Sequence, residues 1–143
     1  MLYSEYLKKQ RKCPFCNLFK EEIFASNNSA DLILSRAPYT KNHMLVVPKK
    51  HKRFMWQLTP KEKRNIDKLV MRAIDLLHKK HKNVSMLYKE GIKKEVGKSI
   101  SHMHFHIIPD MQISFVDANL NERKFYSDED YLKRIEKLKQ ELK

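Results

Sequence analysis

The sequence predicts an α+β domain: a small antiparallel sheet, one long helix crossing it, and helices at both ends. Three observations predict it. Short apolar runs of strand length recur between turn-forming residues at 24–34, 43–48, 84–88 and 100–108. A single long stripe at helical spacing starts at Thr59. Both terminal segments read as helix rather than strand.

Residues 3–12 form the first predicted helix, leading into Cys13-Pro14-Phe15-Cys16. Phe24 to Leu34 reads as two short strands around Ser26-Asn27-Asn28-Ser29, whose side chains favour turns. His43 to Pro48 is a buried strand ended by proline. Thr59 is a good N-cap, Pro60 suits the first helical position and Glu62 completes a capping box. Ile66, Leu69, Val70, Ala73, Ile74 and Leu77 then share one helical face, to about His81. Val84 to Tyr88 is another strand, and Ile100 to Ile108 a further one. The last helix starts at Ser127, with Asp130 in capping-box position. Its Tyr131, Ile135, Leu138 and Leu142 form a seam for packing against the domain or a partner subunit. The expectation is one domain over residues 1–143, with a core at about 13–110 and a C-terminal helix at about 127–143.

The chain has 143 residues, 41% of them apolar, enough for a core without staples. No apolar run is long enough to span a bilayer. The polar start, Met1-Leu2-Tyr3-Ser4-Glu5-Tyr6, lacks the apolar core of a signal peptide, so a cytoplasmic protein is expected. A net charge of +13 favours anionic partners. The lysines are spread along the whole chain, which fits a solvated surface better than a dedicated nucleic-acid face.

Chemistry concentrates at His102, His104 and His106. Alternate positions on a strand put the three imidazoles on one face and Met103, Phe105 and Ile107 on the other. Such a row suits either metal binding or nucleophilic catalysis, in which a neutral imidazole attacks phosphorus and a neighbour handles the proton. Cys13 and Cys16 are the only cysteines. Without a secretory signal they suggest a metal half-site or a redox pair rather than a structural disulfide. Tetrahedral zinc would need two more ligands, from among His51, His102, His78 and His81. Gly97-Lys98-Ser99 is not the tail of a P-loop: five residues, not four, separate Gly91 from Gly97, and the segment leads into a strand.

Taken together, these residues resemble the histidine-triad (HIT) family of nucleotide hydrolases and transferases. His102-Met103-His104-Phe105-His106-Ile107-Ile108 matches its His-φ-His-φ-His-φ-φ signature, with φ apolar. His43 through His51 matches the upstream His-x-Leu-Val-φ-Pro-Lys-x-His, and Gly97-Lys98-Ser99 the Gly-x-Ser/Thr before the triad. Cys13 and Cys16 match an N-terminal pair found in many microbial members.

The resemblance implies that His104 attacks the α-phosphorus of an adenylated compound or other nucleoside phosphate derivative, forming a covalent nucleotidyl-histidine. It implies that His106 and His43 hold phosphate oxygens and that Ser99 binds an oxygen or assists the leaving group. It implies a structural zinc on Cys13, Cys16, His51 and His102, and a homodimer. The alternatives are hydrolysis or phosphorolysis of dinucleoside polyphosphates, deadenylation of nucleic-acid ends, and a nucleotide-binding module without turnover.

The chain departs from the family pattern on the binding side. Ser35 stands where an Asp or Asn usually binds ribose, and Asn42 where a glycine usually precedes the upstream histidine. Lys98 and Lys89 stand where neutral amides are common, Asp110 replaces a frequent arginine, and the Gly91–Gly97 loop is about two residues longer. Ser35, Lys89 and Lys98 are therefore candidate nucleotide or phosphate contacts, and the two lysines favour a more anionic substrate.

Overall fold

The computed structural model describes residues 1–9, 12–96, 98, 100–112 and 124–143. The described elements run α1 (Tyr3–Lys9), β1 (Ile23–Ser26), β2 (Ala30–Leu34), β3 (Met44–Pro48), α2 (Pro60–Leu77), β4 (Val84–Tyr88), α3 (Lys93–Val96), β5 (Phe105–Pro109) and α4 (Asp128–Glu141). The strands form one antiparallel sheet in the order β1-β2-β3-β5-β4. None of the described helices is long and apolar enough to cross a membrane.

Helix α2 begins as its sequence dictates. Thr59 Oγ1 accepts from the Glu62 N–H, and the Glu62 carboxylate accepts from the Thr59 N–H. Ile66, Leu69, Val70, Ala73 and Leu77 then face the sheet. Ser127 caps α4 through the Asp130 N–H, and Tyr131, Ile135, Leu138 and Leu142 enter the same core. The C-terminal seam thus packs within its own chain. The Tyr131 hydroxyl donates to the Leu34 carbonyl, which satisfies the polar end of a buried ring.

Strands β2, β3 and β5 are buried on both faces, which explains the runs Leu32-Ile33-Leu34, Met44-Leu45-Val46-Val47 and Ile107-Ile108. Leu32, Leu34, Met44, Val46, Phe105 and Ile107 meet α2 and α4. On the opposite face Ile33, Leu45 and Val47 meet Phe15, with Cys13, Leu18 and Ile100 packed around them. The Cys13–Cys16 turn is thereby fastened to the histidine side of the sheet.

The predicted histidine strand is shorter than its pattern. Regular pairing covers only Phe105–Pro109, so His102 and His104 precede the strand and His106 lies within it. The ladder pairs Val46 with Phe105; its next steps would run along the end of β3 to Pro48, which has no N–H to donate. The chain bends away instead. The Met103 N–H bonds to the Lys52 carbonyl, and the His102 ring takes the Pro48 carbonyl. The division of faces survives the bend. Met103, Phe105 and Ile107 belong to the α2 core, while the three histidines lie on the other side. The extended loop that the sequence predicts after Gly91 contains the short α3.

Glu22 yields a prediction about stability. It is buried and 3.9 Å from Arg36, which also bonds to Asp128. Burial pushes its carboxyl up from 4.5 to about 7, against the pull of Arg36 and the Phe19 N–H. A raised folded-state pKa means a contribution fully present below about 4.5 and lost as pH rises through about 7. Stability should fall by on the order of 2 kcal/mol across that window. Glu22→Gln, neutral at every pH, should flatten the slope. Thermal melts of both proteins between pH 4.5 and 8 check this, and an unchanged slope in the variant would assign the effect to another group.

Candidate functional site

His104 is buried, and its Nδ1 lies 2.8 Å from the His102 carbonyl oxygen. That oxygen can only accept, so Nδ1 carries the hydrogen and Nε2 keeps the lone pair. Burial drives the His104 pKa down to about 4, against the stabilising carbonyl and assisted by the charges of Lys98 and Lys89. At neutral pH the ring is uncharged, with a nucleophilic nitrogen. Phe15 sets its edge against His104 at 5.1 Å between centroids and against His102 at 5.8 Å.

His43 and His106 form a second, ordered pair. The Tyr39 N–H donates to His43 Nδ1 over 3.1 Å. His43 Nε2 therefore holds the hydrogen and donates to His106 Nδ1 over 3.0 Å. This leaves the hydrogen of a neutral His106 on Nε2. The His106 and His104 ring centroids are 4.9 Å apart. A lone pair for attack and an N–H for an oxyanion thus stand side by side.

Both rings open into a cavity of about 530 Å³, within the range of small-molecule sites. Phe15, Leu18, Ile33 and Leu45 give it an apolar wall, and Tyr3, Tyr6 and Phe125 a second aromatic one. Tyr6 and Phe125 stack at 3.8 Å, with the Arg36 guanidinium 4.3 Å from the Phe125 ring centre. Ser35 ends β2 on the cavity wall, its backbone N–H on the His43 carbonyl and its Oγ on the Ala37 N–H.

Lys98 is 6% exposed, so its charge is not a solvated surface charge. Burial and the nearby Arg53 lower its pKa, opposed by Glu90. Lys89 is partly buried and acts on the same ring, His104. Gly97 and Ser99 lie outside the described residues.

The four expected metal ligands come together. Cys13 Sγ is 3.4 Å and Cys16 Sγ 3.3 Å from His102 Nδ1, and Cys16 Sγ is 3.2 Å from His51 Nδ1. All four ligand atoms lie within 4.8 Å of one another. A tetrahedron with metal–sulfur bonds of about 2.3 Å and metal–nitrogen bonds of about 2.0 Å has sulfur–nitrogen edges of roughly 3.6 Å, so the set fits with small shifts. His102 Nε2 donates to the Pro48 carbonyl over 2.8 Å, which aims Nδ1 at the sulfurs. Burial brings the His102 pKa down to about 4, so its ring is neutral and free to ligate. Without a cation, burial and the Cys13 thiol push the Cys16 thiol up to about 11. Two thiolates here need a positive partner, and these residues can hold a metal ion. His78 and His81, weighed as ligands in the sequence, lie elsewhere: the His78 ring meets the His81 carbonyl and the His81 ring meets Asp110.

Several residues of the site had no role in the sequence reading. Phe15 sat in plain view inside the cysteine motif. Tyr39 acts through its backbone and by stacking on His43 at 5.0 Å, for which no sequence signal exists. The aromatic wall of Tyr3, Tyr6 and Phe125 joins the two ends of the chain, a juxtaposition that only the fold creates.

This chain is 32% identical over 101 residues to an adenosine 5′-monophosphoramidase of Schizosaccharomyces pombe, covering 68% of this chain and 73% of that protein. Its fold is similar to that of the Plasmodium falciparum diadenosine triphosphate hydrolase solved with cyclomarin A, with a TM-score of 0.69, 22% identity, and 86% and 77% of the two chains covered. It is also similar to that of a zinc-bound histidine triad family protein of Mycobacterium smegmatis, with a TM-score of 0.60, 15% identity, and 98% and 93% covered. At such identities these two likenesses establish the fold alone. The model of the HIT domain matches residues 19–113, most of the chain, and with the triad, His43 and the sheet already in place the chain belongs to the HIT family.

Proposed function

We propose that this protein is a nucleotide hydrolase or nucleotidyltransferase acting at the α-phosphate of an adenylated substrate. The observation that carries the reading is the neutral His104, its free Nε2 facing a cavity beside the donor nitrogen of His106. In this reading His104 Nε2 attacks phosphorus, the nitrogen–phosphorus bond forms, and the bond to the leaving group breaks with its electron pair, a phosphate departing as its anion and an amine taking a proton from solvent. The positive charge gained by the ring is shared through Nδ1–H with the His102 carbonyl. His106, oriented by His43, donates to the oxygen on which charge grows. Water or another acceptor then displaces the nucleotide, the electron pair of the nitrogen–phosphorus bond returns to His104, and the acceptor's proton passes to solvent. The apolar wall takes the base, and Ser35 faces the ribose.

Cys13, Cys16, His51 and His102 hold a structural zinc in the same reading, tying the N-terminal segment to the segment that bears His104. The S. pombe amidase and the P. falciparum hydrolase supply precedents for the two substrate types. A homodimer is part of the proposal as well. Among the described residues strand β4 is a sheet edge with Met86 53% exposed, suited to pairing with a second copy. Light scattering tests it.

The deciding experiment is rapid quenching with adenosine phosphoramidate and with diadenosine triphosphate, read by intact mass. A nucleotidyl adduct on the protein supports the proposal. Tight binding with neither adduct nor turnover replaces it with a binding module.

The burial of Lys98, together with the charges that both lysines exert on His104, favours a polyphosphate leaving group over an amine. A charge-assisted phosphate contact worth about 1.5 kcal/mol is about ten-fold in kcat/KM. Lys98→Gln is therefore expected to cost about ten-fold on diadenosine triphosphate and little on the phosphoramidate. Steady-state kinetics on both substrates checks it, and equal losses would remove Lys98 from leaving-group recognition.

A further inference from the structure

Two of the residues that depart from the family pattern, Asn42 and Asp110, meet through His81 in one hydrogen-bonded chain. Asp110 Oδ2 lies 2.8 Å from His81 Nδ1, His81 Nε2 lies 2.9 Å from Asn42 Nδ2, and Arg134 Nη2 lies 2.7 Å from Asn42 Oδ1. The polarity of this chain is fixed at both ends. A guanidinium only donates, so Asn42 Oδ1 accepts from Arg134 and its Nδ2 must donate to His81. A carboxylate only accepts, so His81 Nδ1–H donates to Asp110 and Nε2 is free to accept from Asn42. The donors and acceptors of this chain match in one arrangement only.

This chain is anchored directly behind the catalytic pair. Asn42 has φ 70°, a left-handed conformation that asparagine tolerates better than most residues, and it is followed by His43. The turn that delivers His43 is closed by the His43 N–H on the Thr40 carbonyl, and the Thr40 hydroxyl is fastened to the Pro109 carbonyl. Pro109 ends the strand that carries His106, and Asp110 follows it. One turn is thus clamped to β5 at two points, and across it His43 Nε2–H meets His106 Nδ1.

We propose that Asn42, His81 and Asp110 are positioning residues that hold His43, and through it His106, in the orientation that presents the His106 Nε2–H to the substrate phosphate. The catalytic consequence rests on the nucleotidyl-transfer reading above; the orientation itself does not. In a glycine at position 42 the same backbone angle costs no strain, so Asn42→Gly removes the amide and little else.

Asn42→Gly is expected to lower kcat about ten-fold, the lower end of what loss of an outer-shell partner costs, with KM changed less than about two-fold. The ¹⁵N signals of His106 should move from a single Nε2–H tautomer to a mixture. His81→Leu should do the same. His81→Gln should restore most of kcat and the single tautomer, because its amide both accepts from Asn42 and donates to Asp110. A merely structural staple would lower thermal stability in all three variants and leave the tautomer untouched. An Asn42→Gly protein with an unmixed His106 tautomer and kcat within two-fold of the parent overturns the proposal. If the parent turns over no nucleotide but the tautomer still shifts, the positioning role stands and the nucleotidyl-transfer reading falls.

Discussion

Replacing His104 with alanine is expected to abolish nucleotidyl transfer, with a fall in kcat of at least about 10⁴-fold and no covalent adduct on quenching. The size of the effect follows from the geometry. His104 offers a free Nε2, because its Nδ1 hydrogen is committed to the His102 carbonyl. No other histidine in the cavity offers the same. His106 Nδ1 accepts from His43, and the remaining nitrogen of a neutral His106 carries the hydrogen. A variant at His106 should therefore retain the adduct while forming it slowly, having lost a donor to the oxyanion rather than the nucleophile. Structurally His104→Ala is mild. The main core lies across the sheet, and His104 is not among its members. Thermal melting should show the variant folded. Intact mass after quenching with an adenylated substrate separates the roles: near-normal activity in His104→Ala would move the nucleophile elsewhere.

Much of the fold was legible because local signals and global packing agree. The Thr59-Pro60-Lys61-Glu62 cap, the helical stripe behind it and the strand segments at 24–34, 43–48 and 84–88 appear where spacing placed them. The histidine strand was legible in its faces but not in its extent. Alternation assigns a side to each residue, yet cannot show that Pro48 on the neighbouring strand ends the ladder before His104 is reached. That break matters to the chemistry, since it frees the His102 carbonyl to hold the His104 ring. The metal cluster depended on residues 35 and 86 positions apart, and only the resemblance singled out His51 and His102 among the other histidines. The chain through Asn42, His81 and Asp110 was invisible for a simpler reason. Read alone, Asn42 and Asp110 are departures from the family pattern and His81 a candidate zinc ligand, and their shared role lies in hydrogen-bond polarity that sequence does not encode. The C-terminal seam was ambiguous because the same apolar spacing serves a partner subunit or the chain's own core.

Removing the metal is expected to weaken the protein without unfolding it. Elemental analysis should find about one zinc per chain, and chelation or Cys13→Ser should lower the melting temperature by about 10 °C, corresponding to a few kcal/mol for a domain of this size. The limit on the loss comes from the layout. The principal core of α2, α4 and one sheet face contains none of the four ligands. What the ligands hold is the opposite face, where Phe15 packs on Ile33, Leu45 and Val47 and against His104. Loss of the cation should loosen that smaller cluster, and the His104 ring with it. Activity should therefore fall on chelation and return on adding zinc. Because the thiols must lose their protons to bind, zinc affinity should rise with pH. Cys16→Ser gives an internal control. It removes a ligand 3.2 Å from His51 and 3.3 Å from His102, yet leaves the His102 ring bound to the Pro48 carbonyl. Its zinc content and its rate of adduct formation should fall together. Calorimetry with and without chelator, beside the metal analysis, decides the matter: a native protein that is metal-free and fully stable has no structural zinc, and Cys13, Cys16, His51 and His102 would then be no more than a hydrogen-bonded cluster.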